Sequence, residues 1–131
     1  NMAVKMLIVF FIPAMILSME HAAANESDYD WIVNDDGGAT ITGYNGGGGE
    51  VVIPDTLGGF TVTEIASSAF AYKSLTKVTI PDSVTNIGSY AFSWNQIEEL
   101  EIPGSVKQID YGAFFDNGLK NCSSSILISA S

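Results

Sequence analysis

The sequence predicts a mainly β protein: a short right-handed solenoid of the α/β type, with about three 22-residue repeats behind an N-terminal β-hairpin cap. The pairs Ile-Pro and Ala-Phe recur along the chain, and the last two copies align without gaps at a period of 22. A unit of this length cannot bury its apolar side alone, so neighbouring copies must stack. We therefore expect one continuous core that runs along the stack.

The first 24 residues are typical of a secretory signal peptide, expected to be helical. Lys5 precedes a twelve-residue apolar run, MLIVFFIPAMIL, and Ala22-Ala23-Ala24 offers the small residues of a cleavage site. Twelve helical residues reach only about 18 Å, too short for a hydrocarbon core of roughly 30 Å. Residues 1–24 are thus predicted to be a leader whose removal leaves a chain that starts at Asn25, without a membrane span.

The charge of the chain argues against nucleic-acid binding. The formal net charge is −10, and removal of the leader does not change it because Lys5 and Glu20 leave together. The remaining chain has no arginine and no histidine. Phosphate backbones and anionic membranes repel such a chain. Cys122 is the single cysteine and has no internal disulfide partner, so stability must come from repeat stacking.

Residues 25–49 are expected to form the capping hairpin and a glycine-rich turn. The hairpin spans Tyr29 to Gly43, where an Asx- and Gly-rich turn, NDDGG, separates two strand-type runs. A bare solenoid end exposes unpaired strands. We expect this hairpin to cover the open edge of the first repeat. Gly46 to Gly49 then lead into the first repeat strand.

The repeats occupy residues 50–119, and each is expected to hold two short extended segments. An alternating strand such as Val78–Ile80 directs two side chains inward. It ends at Pro81, since proline donates no ladder hydrogen bond. The segment Val84–Ile87 then forms a second extended or turn segment.

The Ala-Phe pair completes each repeat. Ala91-Phe92 is expected to sit in a short helical turn, with the phenylalanine in the core. The first copy has five extra residues, which we place in the Leu57–Phe60 region. A further copy begins at Leu119 and decays, so residues 120–131 are predicted to be a degenerate or truncated repeat.

The segment Leu75–Phe92, LTKVTIPDSVTNIGSYAF, matches the pattern L-x-x-I-x-I-P-x-x-V-x-x-I-G-x-x-A-F. It resembles the BspA-like (Treponema-type) leucine-rich-repeat surface proteins, and the resemblance covers residues 49–119. It implies a curved solenoid with strands on one face, found on bacterial cell surfaces and used for adhesion and host or matrix contact. It brings no catalytic residues.

Three departures or features of the family pattern concern the turns. The family often places Cys or Asn a few residues after Ala-Phe, and Asn95 and Asn117 hold that place. Lys73 departs from it. Asn side chains can satisfy turn backbone groups from inside the stack. Asp110 replaces the glycine found at Gly88, and we expect it to distort the third turn slightly.

No catalytic, cofactor or metal site is predicted. The tetraglycine lacks the lysine of a phosphate-binding loop, and clustered carboxylates on an exposed strand lack the cleft that hydrolysis needs. The aspartates near the hairpin do not match the EF-hand spacing, although weak calcium binding stays open. The residues weighed for these roles are Gly46 to Gly49, the carboxylates Glu98, Glu99 and Glu101, and the aspartates Asp28, Asp30, Asp35 and Asp36.

Candidate ligand-face residues fall into two groups. Outward strand positions are expected to stack into two rows, which form either a solvated ladder or a binding face. Exposed aromatic residues just before or after Ala-Phe form the second group, since Tyr and Trp are favoured at contact surfaces and are also common packing residues. The rows are Glu50, Lys77, Glu99 and Val52, Thr79, Glu101; the aromatics are Tyr72, Trp94 and Tyr90, with Tyr111 nearby.

Two functions remain open at this stage. The first is a secreted or cell-surface module for protein–protein interaction or adhesion, with a protein or glycoprotein partner such as a host or matrix surface. The second is a structural spacer of a larger surface protein with no ligand of its own. A carbohydrate-binding module is a more distant third, and we do not expect an enzyme.

Overall fold

The computed structural model describes the backbone of residues 25–124 and the side chains of residues 25–120. The predicted signal-peptide helix lies outside the described residues, and so does most of the predicted tail. After a 3₁₀ turn at Glu26–Asp28, ten strands follow. They are β1 (Tyr29–Val33), β2 (Ala39–Tyr44), β3 (Gly49–Val52), β4 (Thr56–Leu57), β5 (Phe60–Ile65), β6 (Leu75–Thr79), β7 (Asn86–Ile87), β8 (Glu99–Ile102), β9 (Gln108–Ile109) and β10 (Asn121–Ser124).

The strands form two sheets that both run along the repeat axis. The first sheet has the order β1-β2-β5-β7-β9, with β4 paired to β5, and the second has the order β10-β8-β6-β3. Strands of successive repeats pair in parallel, whereas β1 with β2 and β4 with β5 are antiparallel. The predicted mainly β solenoid of about three turns at a 22-residue spacing is confirmed, and so is its hairpin cap.

The core lies between the sheets and the turns that join them. Its centre is a column of rings in which Phe92 stacks on Phe70, with 4.9 Å between centroids, and on Phe114, with 5.3 Å. Tyr44 from the hairpin continues the column with a centroid 5.1 Å from Phe70. The cap therefore covers the first repeat by adding to its ring column. The other large side chains that are fully buried are Ile41, Val51, Leu57, Val62, Ile65, Leu75, Val84, Ile87, Ile97 and Ile102.

Two asparagines hold the turns together from inside the stack, as the sequence predicted. The buried Asn95 side chain accepts hydrogen bonds from the backbone N–H groups of Lys73 and Leu75, at 2.9 and 3.1 Å. It donates to the carbonyls of Phe70 and Phe92, at 2.8 and 2.9 Å. Asn117 repeats part of this one turn later: it accepts from the Ile97 N–H and donates to the carbonyls of Phe92 and Phe114, and it is only half-buried. Each asparagine thus pairs backbone groups that no strand could satisfy.

The expected helical turn at Ala91-Phe92 is wrong. The chain makes two overlapping turns there, in which Ala91 N–H donates to Gly88 O and Ser93 N–H donates to Tyr90 O, both at 3.2 Å. Tyr90 has φ +56°, in the left-handed region. A right-handed helix cannot propagate through such a residue, so each turn reverses before a helix forms.

The expected distortion at Asp110 is absent from the backbone pairing. Asp110 N–H donates to Ile87 O at 2.9 Å, just as Gly88 N–H donates to Ile65 O at 2.8 Å one repeat earlier. Asp110 therefore occupies its turn without loss of the hydrogen bond that joins neighbouring repeats.

The extra residues of the first copy form a small hairpin where the sequence placed them. In it Thr56 pairs with Thr61 and Leu57 with Phe60. Gly58 lies under the Trp31 ring, since a Cβ at this glycine would come within 2.6 Å of it. The insertion thus packs against the capping hairpin.

The further copy predicted to begin at Leu119 starts as a strand. Within β10, Cys122 pairs with Leu100, which is the register that the repeat pattern predicts. The second sheet therefore continues at least to Ser124.

Candidate functional site

The strand rows predicted from the sequence exist in the second sheet. Parallel pairing places Glu50 opposite Lys77 and Lys77 opposite Glu99. It also places Thr79 opposite both Val52 and Glu101. We call these two rows together the strand face.

The first row of the strand face is a chain of ion pairs. Lys77 Nζ lies 3.8 Å from a carboxylate oxygen of Glu50 and 4.0 Å from one of Glu99. All three side chains are exposed, so each pair contributes at most about 1 kcal/mol. In the second row, Val52 is half-buried whereas Thr79 and Glu101 are exposed. The strand face is therefore polar and solvated, and in its first row Lys77 is paired with the two glutamates of the same row.

The predicted aromatic residues come together, and two more rings join them. Tyr72, Tyr90, Trp94, Tyr111 and Phe115 form one contiguous group on the turns that lead into the second sheet; we call it the aromatic cluster. The sequence had marked Tyr111 only as a neighbour and had missed Phe115. The signal that would have found Phe115 is a large ring at a position where the earlier copies have Ala71 and Ser93.

The rings of the cluster pack against one another in two ways. Trp94 lies parallel to Tyr72 and to Tyr90, with centroid distances of 4.6 and 5.5 Å and an interplanar angle of 7° in each case. Phe115 meets Trp94 edge to face at 5.9 Å, and Tyr111 meets Tyr90 edge to face at 5.6 Å. Both arrangements suit the quadrupoles of aromatic rings. The cluster is therefore a pre-formed surface rather than a set of separate side chains.

Exposure differs across the cluster. Tyr72 is 69% exposed, Tyr111 65% and Phe115 50%, whereas Trp94 and Tyr90 are half-buried beneath them. Large exposed rings of this kind are uncommon on a protein surface unless they contact something. The half-buried pair supports the rim, and the rim meets the solvent.

Three members of the cluster have a backbone that their residue types disfavour. The φ angles of Tyr72, Tyr90 and Trp94 are +57°, +56° and +57°. In this left-handed region a side chain other than Gly, Asn or Asp costs about 1–2 kcal/mol. The corresponding residues of the third turn are Gly112 and Asp116, which tolerate the conformation readily. The same conformation recurs at Ser68 in the first turn, so it belongs to the repeat, and three large rings occupy it although their residue types disfavour it.

Gly112 leaves room for the Tyr90 ring in the aromatic cluster. A Cβ at this position would lie 2.7 Å from the Tyr90 ring, so any larger residue would push that ring away. Glycine at 112 therefore allows Tyr90 to lie over the next turn and to reach Tyr111.

Desolvation beneath its neighbours raises the pKa of the Tyr90 hydroxyl above its usual value, and the Tyr111 hydroxyl raises the pKa further. Tyr90 is thus uncharged at neutral pH. The cluster offers polarisable ring faces and tyrosine hydroxyl groups to a ligand.

The described part of the chain has neither a converging set of metal ligands nor a helix that could span a membrane. No group of three or more His, Cys, Asp or Glu side chains converges there to hold a metal ion. Among the same residues, no helix is long and apolar enough to span a membrane. The carboxylates weighed for hydrolysis are separated by their partners, as Glu98 pairs with Lys120 at 3.2 Å and Glu99 with Lys77.

The fold and the stacked turns define a repeat protein of the leucine-rich solenoid class, in which the strands and turns of each copy lie over those of the next. A model of the BspA type leucine rich repeat region matches residues 53–129 with six copies. The chain belongs to this family. Leucine-rich repeats act in general as protein-interaction modules.

Solved structures of bacterial leucine-rich repeat proteins are similar to this chain. A leucine-rich repeat protein from Bacteroides capillosus has a TM-score of 0.58 and 26% identity, over 79% of this chain and 99% of that one. The T. pallidum leucine rich repeat protein has a TM-score of 0.46 and 18% identity, over 79% of this chain and 83% of that one. A leucine rich cell surface protein from Faecalibacterium prausnitzii has a TM-score of 0.42 and 20% identity, over 78% of this chain and 54% of that one. A comparison with curated proteins found no match.

Proposed function

We propose that this chain is an exported interaction module that binds a protein or glycoprotein partner through the aromatic cluster. The observation that carries the proposal is the stacking of Tyr72, Trp94 and Tyr90 on one surface at strained backbone positions. Trp and Tyr are the residue types that dominate binding hot spots. They supply large contact areas with few rotatable bonds, so little entropy is lost on binding.

Export and display at the surface of a bacterium complete the proposal. The leader-like segment of residues 1–24 supports export. Adhesion to a host or matrix surface is the role we assign to such a module. No reaction is assigned to it, since the only histidine, His21, belongs to the proposed leader.

Expression of the full chain in a bacterial host tests the export step. We expect the protein outside the cytoplasm with Asn25 as its first residue, as read by mass spectrometry of the intact chain. A chain that stays in the cytoplasm with residues 1–24 attached would refute export.

Capture from extracellular-matrix and cell-surface extracts tests the binding step. The exported protein should retain a specific partner, and a variant with Tyr72→Asn and Trp94→Asn should lose it. Asparagine suits the left-handed backbone, so these changes remove rings without adding strain. The matched control is Thr79→Ala with Glu101→Gln on the strand face, which should bind as the parent does. Loss of binding in the control alone would move the ligand site to the strand face.

A structural spacer is the second candidate, and the strand face favours it. Lys77 is paired on both sides by Glu50 and Glu99, so the one cation of the first row is already engaged within the row. A spacer would unfold cooperatively on heating and capture no partner from any extract. The same capture experiment therefore separates the two functions.

A further inference from the structure

The negative charge of the chain indicates which kind of partner the aromatic cluster would bind. This inference rests on the proposed function. The leader is neutral, so the net charge of −10 falls on the rest of the chain. Of its four lysines, Lys77 and Lys120 are held in ion pairs with glutamates. The chain as a whole therefore attracts cationic partners, and the exposed Asp116 follows Phe115 at the edge of the cluster.

The cluster ends in an acidic residue. Tyr72, Trp94 and Asp116 occupy the same position of three successive turns, with φ +57°, +57° and +54°. The turns are joined by backbone hydrogen bonds, such as Trp94 N–H to Phe115 O at 2.9 Å. Asp116 is exposed and makes no hydrogen bond or ion pair to another described side chain. These three equivalent positions therefore form a column: the exposed Tyr72 ring is at one end, the Trp94 ring is in the middle, and the Asp116 carboxylate is at the other end.

Tyr72 has one ring face available. Trp94 covers the other face at 4.6 Å, and the Tyr72 side chain is nevertheless 69% exposed. Trp94 itself is flanked by Tyr72, Tyr90 and Phe115, so its faces are already in use. A sugar that stacks needs an open platform of rings, and this cluster offers only one open face. A planar cation needs only one, and arginine is the side chain that most often stacks in this way.

We propose that the cluster binds an arginine-containing segment of a protein partner. One guanidinium stacks on the open face of Tyr72, which extends the ring stack, and a second cation pairs with Asp116 at the other end of the column. Neighbouring turns are about 4.8 Å apart, so the two cations lie roughly 14 Å apart. An extended segment spans that distance with arginines four positions apart, at about 3.3 Å per residue.

The test uses a seven-residue peptide, Gly-Arg-Gly-Gly-Gly-Arg-Gly, titrated into the full chain carrying Trp31→Phe. Trp94 is then the only tryptophan, since the chain has two, and its fluorescence reports on the cluster. We expect a saturable change in emission over a titration to about 100 mM peptide, because two weak, solvent-exposed contacts produce binding in the range of tens of millimolar. The counterpart with citrulline for arginine keeps the planar shape and loses the charge. It should bind at least about fivefold more weakly.

Two further variants test whether charge controls the affinity for the arginine peptide, because one should lower that affinity and the other should raise it. Asp116→Asn keeps the left-handed backbone and should weaken binding of the arginine peptide about threefold or more. Lys73 lies next to Tyr72 and opposes a cation there, so Lys73→Gln should strengthen the same binding. A hydrophobic patch without charge preference would respond to neither change.

The outcomes distinguish this inference from the proposed function. Equal binding of the arginine and citrulline peptides, or no response of Trp94 to either, overturns the arginine assignment. If the arginine assignment fails but the chain still captures a partner through Tyr72 and Trp94, the proposed function as an interaction module remains supported. If the two-asparagine variant retains its partner, the cluster is not the binding surface, and both conclusions fall.

Discussion

Trp94 stacks on Tyr72 with 4.6 Å between ring centroids and 7° between planes, and both residues hold a left-handed backbone. The same turn position in the third repeat is Asp116, a residue type that accepts this conformation readily. Stacking contributes about 0.5–1.5 kcal/mol. The left-handed backbone costs about 1–2 kcal/mol for each ring-bearing residue. The backbone cost of the two residues together exceeds the gain from their stack, so the stack does not explain the choice of rings by stability, which is consistent with selection for their surface.

Trp94→Asn should lower the free energy of unfolding by up to about 3 kcal/mol, because relief of about 1–2 kcal/mol of backbone strain offsets only part of the three lost ring contacts. The matched control is Trp94→Val, in which a β-branched side chain keeps the strain and loses the stack. It should be less stable than Trp94→Asn by more than about 1 kcal/mol. Urea unfolding followed by circular dichroism measures both. Equal destabilisation by the two variants would mean that the ring, and not the backbone, sets the energy of this turn.

Phe92→Ala should be strongly destabilising, by about 3–5 kcal/mol, since Phe92 is fully buried between Phe70 and Phe114. Phe115→Ala removes a ring of the same kind that is half exposed, and it should cost much less. Thermal melts of the two variants make the comparison. Similar losses would show that the column of rings is not the centre of the core.

Asn95→Ala should cost roughly 3 kcal/mol or more, since it leaves buried N–H and carbonyl groups unpaired at about 1–3 kcal/mol each. Asn117→Ala removes one fewer accepted hydrogen bond, from a half-buried site where water can replace the lost partners, and should cost less. Hydrogen exchange at the amides of Lys73 and Leu75 should rise in the first variant only. An unchanged exchange rate there would contradict the assigned bonds.

Tyr29 makes the stability of the cap depend on alkaline pH. Its hydroxyl is buried without a hydrogen-bond partner among the described residues. Burial raises the pKa of Tyr29 well above its usual value, and the nearby Tyr44 and Asp28 raise the pKa further. The folded state therefore holds its proton at a pH where the unfolded state releases it. Stability should be fully present below about pH 10 and fall above it, by up to about 1.4 kcal/mol per pH unit.

The matched variant is Tyr29→Phe, which removes an unpaired buried hydroxyl and keeps the ring contacts with Tyr44 and Phe70. It should be about as stable as the parent at pH 7, because no hydrogen bond is lost. Between pH 10 and 12 it should lose less stability than the parent. Parallel curves for the two proteins would show that Tyr29 does not control the alkaline transition.

Lys77→Met should lower stability by less than about 1 kcal/mol for each ion pair, and the loss should shrink in concentrated salt, because Glu50, Lys77 and Glu99 are all exposed. Unfolding at low and high ionic strength measures this dependence. A large loss that persists in salt would show that the row contributes more than solvated pairing.

The sequence by itself determined the parts of this protein that depend on local periodicity. The 22-residue repeat predicted the stack and its core, and strand alternation predicted both rows of the strand face. Because parallel strands of equal repeats pair in register, Lys77 had to lie between Glu50 and Glu99.

Only the tertiary structure decided how the turns present their side chains. The sequence suggested a helical turn at Ala91-Phe92, whereas the structure has Tyr90 at φ +56°, with its N–H donating to the Tyr111 carbonyl of the next repeat at 3.1 Å. That conformation redirects the ring onto the next turn. It brings Phe115 into the aromatic cluster, a contact between repeats that no spacing along the chain encodes.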